Sequence, residues 1–163
     1  MLPAVYRHAA TPESTVAMLW AAVLWTGGDG ALSHTTAGAL WRLDGVRLGT
    51  IELVVPLTRA PASPRIVVHR TSALRTVDVR MIDGLPLTAP ARTLLDLAGV
   101  LDDRALESAV VSALARGLVT PSDLSALLAA SGPGRAGAAR FRQLLRQIPP
   151  GKRSPRAPER PMR

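Results

Sequence analysis

The sequence predicts an α+β fold, with helices packed on a small, mostly antiparallel sheet, a helical C-terminal half and a disordered basic tail. Three observations lead there. Apolar residues recur at helical spacing toward both ends, the middle switches to short β-branched runs, and the excess positive charge gathers after residue 134. A length of 163 residues with 47% apolar composition is enough for one core.

The first helix is read from TPESTVAMLWAAVLW at 11–25. Thr11 serves as N-cap, Pro12 takes the first helical position, and Glu13 sits where the helix dipole favours an anion. Gly27 and Gly28 stop it. Apolar residues run all round this helix, which predicts a buried central element with Trp20 and Trp25 in the core. SHTTAGALW at 33–41 forms a short second helix capped by Ser33, with Gly45 and Gly49 in the loop beyond.

Strands follow at 50–56, 65–70 and 76–82, in the last of which Val77, Val79 and Met81 alternate with Asp78 and Arg80. Asp83-Gly84 is a two-residue hairpin turn leading into LPLT, because Gly tolerates the positive φ such turns need. The Pro-rich RAPASP between the first two strands predicts an exposed loop.

LTAPARTLLDLAG at 87–99 is the segment most like a motif. Thr88 or Ala89 caps a helix with Pro90 in its first turn, and Ala91, Leu94, Leu95 and Ala98 share one apolar face. Arg92, Thr93 and Asp96 fall on the other faces, with Arg92 and Asp96 as an exposed i,i+4 ion pair worth a few tenths of a kcal/mol. In the next helix Leu106, Ala109, Val110, Ala113 and Leu114 align, and Gly117 ends it. Thr120 and Asp123 then approach a capping box. The last helix shows Phe141, Leu144, Leu145 and Ile148 as its stripe. The domain reading is one α+β body at 1–148 and a Pro/Arg-rich disordered tail at 149–163.

Absence of Cys excludes disulfide frameworks, thiolate zinc sites and Cys nucleophiles, and fits a cytoplasmic setting. The longest apolar run, at 16–25, is too short to span a membrane. His8, His34 and His69 match no zinc spacing, so no metal and no cofactor is expected. An enzymatic alternative would use His34 with Asp96 as an acid–base pair, but no spacing demands it, and no catalytic residue is assigned. Residues 104–130 outline a helix-turn-helix whose second helix presents Ser122, Asp123 and Ser125; an acid there repels DNA, which favours a plain hairpin.

Net charge is +8, and residues 1–134 hold 11 Arg against 11 Asp or Glu, so the imbalance lies beyond them. Arg135, Arg140, Arg142 and Arg146, with Lys152, Arg153, Arg156, Arg160 and Arg163, are the candidate nucleic-acid contacts. Such binding is weak, non-specific and salt-sensitive. The tail has no aromatic residue for base stacking.

VYR at 5–7, LSHTTAGALWRLDG at 32–45, VVHR at 67–70, IDGLPLTAPARTLLDLAG at 82–99 and ALARGLVTPSDL at 113–124 occur in this order. Together they resemble actinobacterial relatives of the antitoxin of the type IV abortive-infection (AbiE) toxin–antitoxin system, over roughly residues 4–148. His34, Trp41, Arg92, Thr93 and Asp96 are the family-motif positions. The resemblance implies a non-enzymatic antitoxin, a nucleotidyltransferase-like toxin as protein partner, and a link to transcriptional regulation through a winged helix. The domain expectation that follows from the resemblance is an antitoxin-like body at 1–148 with the winged-helix part missing ahead of it. The alternative is an accessory region of relatives that continue into an endonuclease domain similar to very-short-patch repair enzymes. After Asp123 the only carboxylate is Glu159, too few acids for a metal-dependent nuclease centre.

Overall fold

A computed structural model describes residues 14–58, 63–72, 74–132 and 134–148. The predicted tail at 149–163 and residues 11–13 of the predicted first helix start lie outside them. Helix α1 is Thr15–Trp25, and its N-cap is Ser14, whose side chain accepts from the Ala17 N–H at 3.1 Å. The helix therefore starts later than a Thr11 cap requires. Only Leu19, Ala22 and Val23 are buried, while Val16, Met18 and Leu24 stay more than half exposed. This corrects the central-helix reading: α1 lies along the sheet on one face, Trp20 is partly exposed against Gly84, and Trp25 is half-buried.

The sheet is mixed, which overturns the mostly antiparallel expectation. Its strands are β1 (Ala31–Leu32), β2 (Ile51–Pro56), β3 (Ile66–Thr71), β4 (Val79–Ile82) and β5 (Leu85–Thr88), in the order β3-β2-β1-β5-β4. Pairs β1–β2 and β4–β5 are antiparallel, and β1–β5 and β2–β3 are parallel. The local hairpin is as read, with Asp83 at φ 49° and Gly84 at φ 80° closing β4 onto β5. The parallel pairs come from returns of the chain that leave no turn signature: β3 re-enters beside β2 in the same direction, and β5 slots beside β1 after the intervening strands. Thr76–Asp78, read as the start of a strand, forms a 3-10 turn instead.

Strand periodicity sorts the central residues. Leu53 and its neighbours in register face α1 in a core with Leu19, Leu32, Ile66, Leu85 and Leu87. Glu52, Val54 and His69 occupy the opposite side. There α2 (His34–Leu40) lies on β2 and packs against α3 (Pro90–Leu97). The second core is helical. It joins α3 to α4 (Asp103–Ala115), α5 (Pro121–Ala130) and α6 (Ala138–Gln147) through Leu94, Leu95, Leu106, Val110, Leu114, Leu124 and Phe141. The predicted α4 stripe is buried in full, and the Thr120–Asp123 capping box forms at the start of α5. Half-buried Trp41 touches both cores.

Candidate functional site

A cleft of about 730 Å³ opens between the His69 side of the sheet, α3 and the α5–α6 connection. His34, Val54, His69, Arg92, Asp96 and Arg135 are among its lining residues.

At one end of the cleft the chain turns sharply from β1 into α2. Ser33 is extended, and His34, the first helical residue, holds φ 48°, a left-handed backbone costly for a side-chain-bearing residue. Ser33 makes no side-chain capping bond; its Oγ lies 3.0 Å from His34 Nδ1. The capping is done from the neighbouring strand. Glu52 Oε1 accepts from the Thr35 N–H at 3.2 Å and from the Thr35 hydroxyl, placing a carboxylate at the helix start where the dipole stabilises it. The Glu52 N–H donates to Thr36 Oγ1 at 2.9 Å, locking β2 to α2.

Glu52 Oε2 meets His69 Nε2 at 2.6 Å, and the His69 ring stacks on His34 with centroids 3.5 Å apart and planes 18° from parallel. Burial pushes the His34 imidazole down to about 4; Asp96 and Glu52 oppose that shift, and His69 and Arg92 add to it. His34 is therefore neutral at physiological pH. Burial works to raise the Glu52 carboxyl, but hydrogen bonds from His69 and Thr35 outweigh it and hold the group below the usual range. One donor atom from each of His34, Glu52 and His69 lies within 4.8 Å of the others. These three are the described residues able to hold a metal ion, which the spacing of the histidines in sequence did not suggest. Glu52 was missed altogether. Its only signal was an acid inside an otherwise apolar strand, IELVVP.

Along the cleft wall runs an alternating chain of charges. Arg75 Nη2 meets Asp78 Oδ1 at 2.9 Å, Arg92 reaches Asp78 at 3.5 Å and Asp96 at 3.1 Å, and Arg135 Nη2 meets Asp96 at 2.6 Å. Arg92 is 2% exposed and Asp96 7%. The exposed ion pair expected at these positions is thus a buried one. The helix carrying it is covered on both sides, by the helical core and by the Asp78 turn with the α5–α6 connection. Thr93 is also fully buried. Its Oγ1 is 2.7 Å from Thr88 Oγ1 and donates to the Thr88 carbonyl at 2.9 Å, and Trp41 Nε1 donates to that same carbonyl at 2.9 Å. Thr88 offers no cap, and the α3 N-cap is Ala89. Trp41 and Thr93 therefore build the scaffold beside the cleft, while His34, Arg92 and Asp96 line it.

The four candidate arginines of the helical end divide. Arg135 is tied to Asp96, and Arg140 binds Asp103 at 2.6 Å and the carbonyls of Ala98 and Leu101. Arg142 and Arg146 are exposed on α6. Lys152, Arg153, Arg156, Arg160 and Arg163 lie outside the described residues. Asp123 is engaged by the Thr120 N–H and hydroxyl at 2.7 Å each.

No helix among the described residues is long and apolar enough to cross a membrane. No curated protein matched the chain. A family model described as the AbiEi antitoxin C-terminal domain matches residues 30–147, from the start of β1 through the end of α6. By that match, which takes in the whole sheet and both walls of the cleft, the chain belongs to the AbiEi antitoxin C-terminal domain family.

Proposed function

We propose that this chain is the antitoxin of a type IV abortive-infection toxin–antitoxin system and opposes a nucleotidyltransferase-like toxin in the cytoplasm by binding rather than by turnover. The observation that carries this reading is the family match over residues 30–147. The distribution of charge supports binding over catalysis. Asp78 and Asp96, the carboxylates that line the cleft, are both bonded to arginine. An acid–base pair of His34 with Asp96 gains nothing from this arrangement, because Arg92 and Arg135 hold the carboxylate as an ion-pair partner.

Exposed Arg142 and Arg146, with the basic residues of 149–163, supply a weak, salt-sensitive contact to nucleic acid, the physical link to control of its own genes. Co-expression tests the reading. In cells arrested by a nucleotidyltransferase-like toxin of such a system, inducing the full chain restores growth. Continued arrest, with both proteins verified as expressed, contradicts it.

A further inference from the structure

We propose that His34, Glu52 and His69 form a site for one divalent transition-metal ion at one end of the cleft. The donor set is two imidazoles and one carboxylate. Nitrogen donors of this kind select zinc and its neighbours over calcium or magnesium, which take oxygen ligands. Two histidines with one glutamate is a donor set of open, four-coordinate zinc sites.

The geometry argues for an ion beyond a simple brace. Fixing the start of α2 needs only Glu52, which accepts from the Thr35 N–H and hydroxyl. Bracing does not need a left-handed backbone at the residue that presents the first imidazole. The His34 and His69 ring planes are 18° from parallel and 3.5 Å apart, so their in-plane lone pairs converge on an ion only after the His69 ring turns off the stack. Together the three residues bring three donor atoms within 4.8 Å at the end of a cavity large enough to admit water or a partner's side chain. A tetrahedral ion with bonds of about 2.0–2.1 Å spaces its donors by about 3.3 Å. The closest pair here, His69 Nε2 and Glu52 Oε2 at 2.6 Å, therefore opens slightly when an ion replaces the proton between them.

The surrounding bonds are those of a supported site. Ser33 Oγ fixes the His34 ring through Nδ1 at 3.0 Å, and Thr35 orients the glutamate from its other oxygen. Neighbours of this type hold ligands in place and raise affinity. His69 is only partly buried, so its ring has room to rotate toward an ion.

Titration of the chelator-treated full chain with Zn²⁺ tests the proposal on purified protein, separately from any toxin. One equivalent is taken up. Glu52→Gln and His69→Gln each weaken uptake by about tenfold or more, and His8→Ala leaves it unchanged. X-ray absorption spectroscopy at the zinc edge of the zinc-loaded, unsubstituted chain keeps the test independent of how the variants fold. It shows two imidazole nitrogens and a carboxylate oxygen around the ion. Failure to take up one equivalent, full retention of uptake by a correctly folded His69→Gln chain, or a shell of oxygens alone overturns the proposal.

Discussion

Arg92 lies between Asp78 and Asp96, 3.5 Å from the first and 3.1 Å from the second, with almost none of its surface reaching solvent. It is the central cation of a chain that continues to Arg75 on one side and Arg135 on the other. Through these contacts α3, the turn before β4 and the α5–α6 connection are joined, and they enclose the cleft wall. Stability of the domain therefore depends on polar residues of the segment LTAPARTLLDLAG as well as on its leucines.

Arg92→Ala strands two carboxylates near the interior, each left with one arginine partner. Removing one member of a buried ion pair costs about 3–5 kcal/mol. Urea unfolding of the variant is expected to show a loss of that order. Arg75→Ala removes a half-exposed partner and loses about 1 kcal/mol or less. Equal losses for the two variants contradict the central position of Arg92.

Acid sensitivity follows from Asp78. Burial works to raise its carboxyl, but hydrogen bonds from Arg75 and the charges of Arg75 and Arg92 outweigh this and hold it below its ordinary value of 3.8. A group depressed on folding contributes stability that is fully present above its unfolded value and is lost as pH falls through the folded one. Unfolding free energy is thus expected to be insensitive to Asp78 above about pH 5 and to fall below about pH 4. Asp78→Asn is less stable at neutral pH and loses less on acidification. An unchanged acid limb in that variant contradicts the assignment.

Two glycines of the α5–α6 connection and the α6 N-cap give a paired test of packing. A Cβ on Gly137 meets the Ala98 carbonyl carbon and the Gly99 nitrogen at 2.6 Å, with φ +77°, whereas one on Gly134, at φ +86°, meets nothing within 4 Å. Gly134→Ala pays only the left-handed backbone cost of about 1–2 kcal/mol, and Gly137→Ala adds a backbone clash to it. Thermal unfolding should rank Gly137→Ala clearly below Gly134→Ala. Equal midpoints contradict the close approach of α6 to the end of α3.

Nucleic-acid contact is expected to follow exposure rather than charge alone. Deleting residues 149–163 together with Arg142→Glu and Arg146→Glu abolishes DNA retention at low salt and flattens its salt dependence. Arg140→Ala acts on stability instead, because its guanidinium is bonded to Asp103 and to the carbonyls of Ala98 and Leu101. Retention unaffected by the triple change contradicts this division.

Local signals explain what was legible in the sequence. Asp83-Gly84 specifies its own backbone angles, the Thr120–Asp123 box is closed by residues three apart, and the α4 stripe follows helical geometry alone. Sheet direction and the site depend on residues distant in sequence. Nothing near Glu52 announces that Thr35 and His69 flank its carboxylate, and nothing in α3 announces that Asp78 and Arg135 cover its charged face. The alternation of apolar and charged residues in PARTLLDL reads as a surface helix, since periodicity measures amphipathicity and cannot show what packs against the polar side. Of the five family-motif positions, His34, Arg92 and Asp96 line the cleft, and Trp41 and Thr93 bond to the Thr88 carbonyl beneath it.

The central claim, that this antitoxin domain acts by binding rather than by turnover, is tested most directly by growth rate at fixed toxin and graded levels of the full chain. Recovery that rises with the abundance of the chain and saturates only when it is no longer scarce is the predicted result. Full recovery at trace levels of the chain, or none at any level, contradicts it.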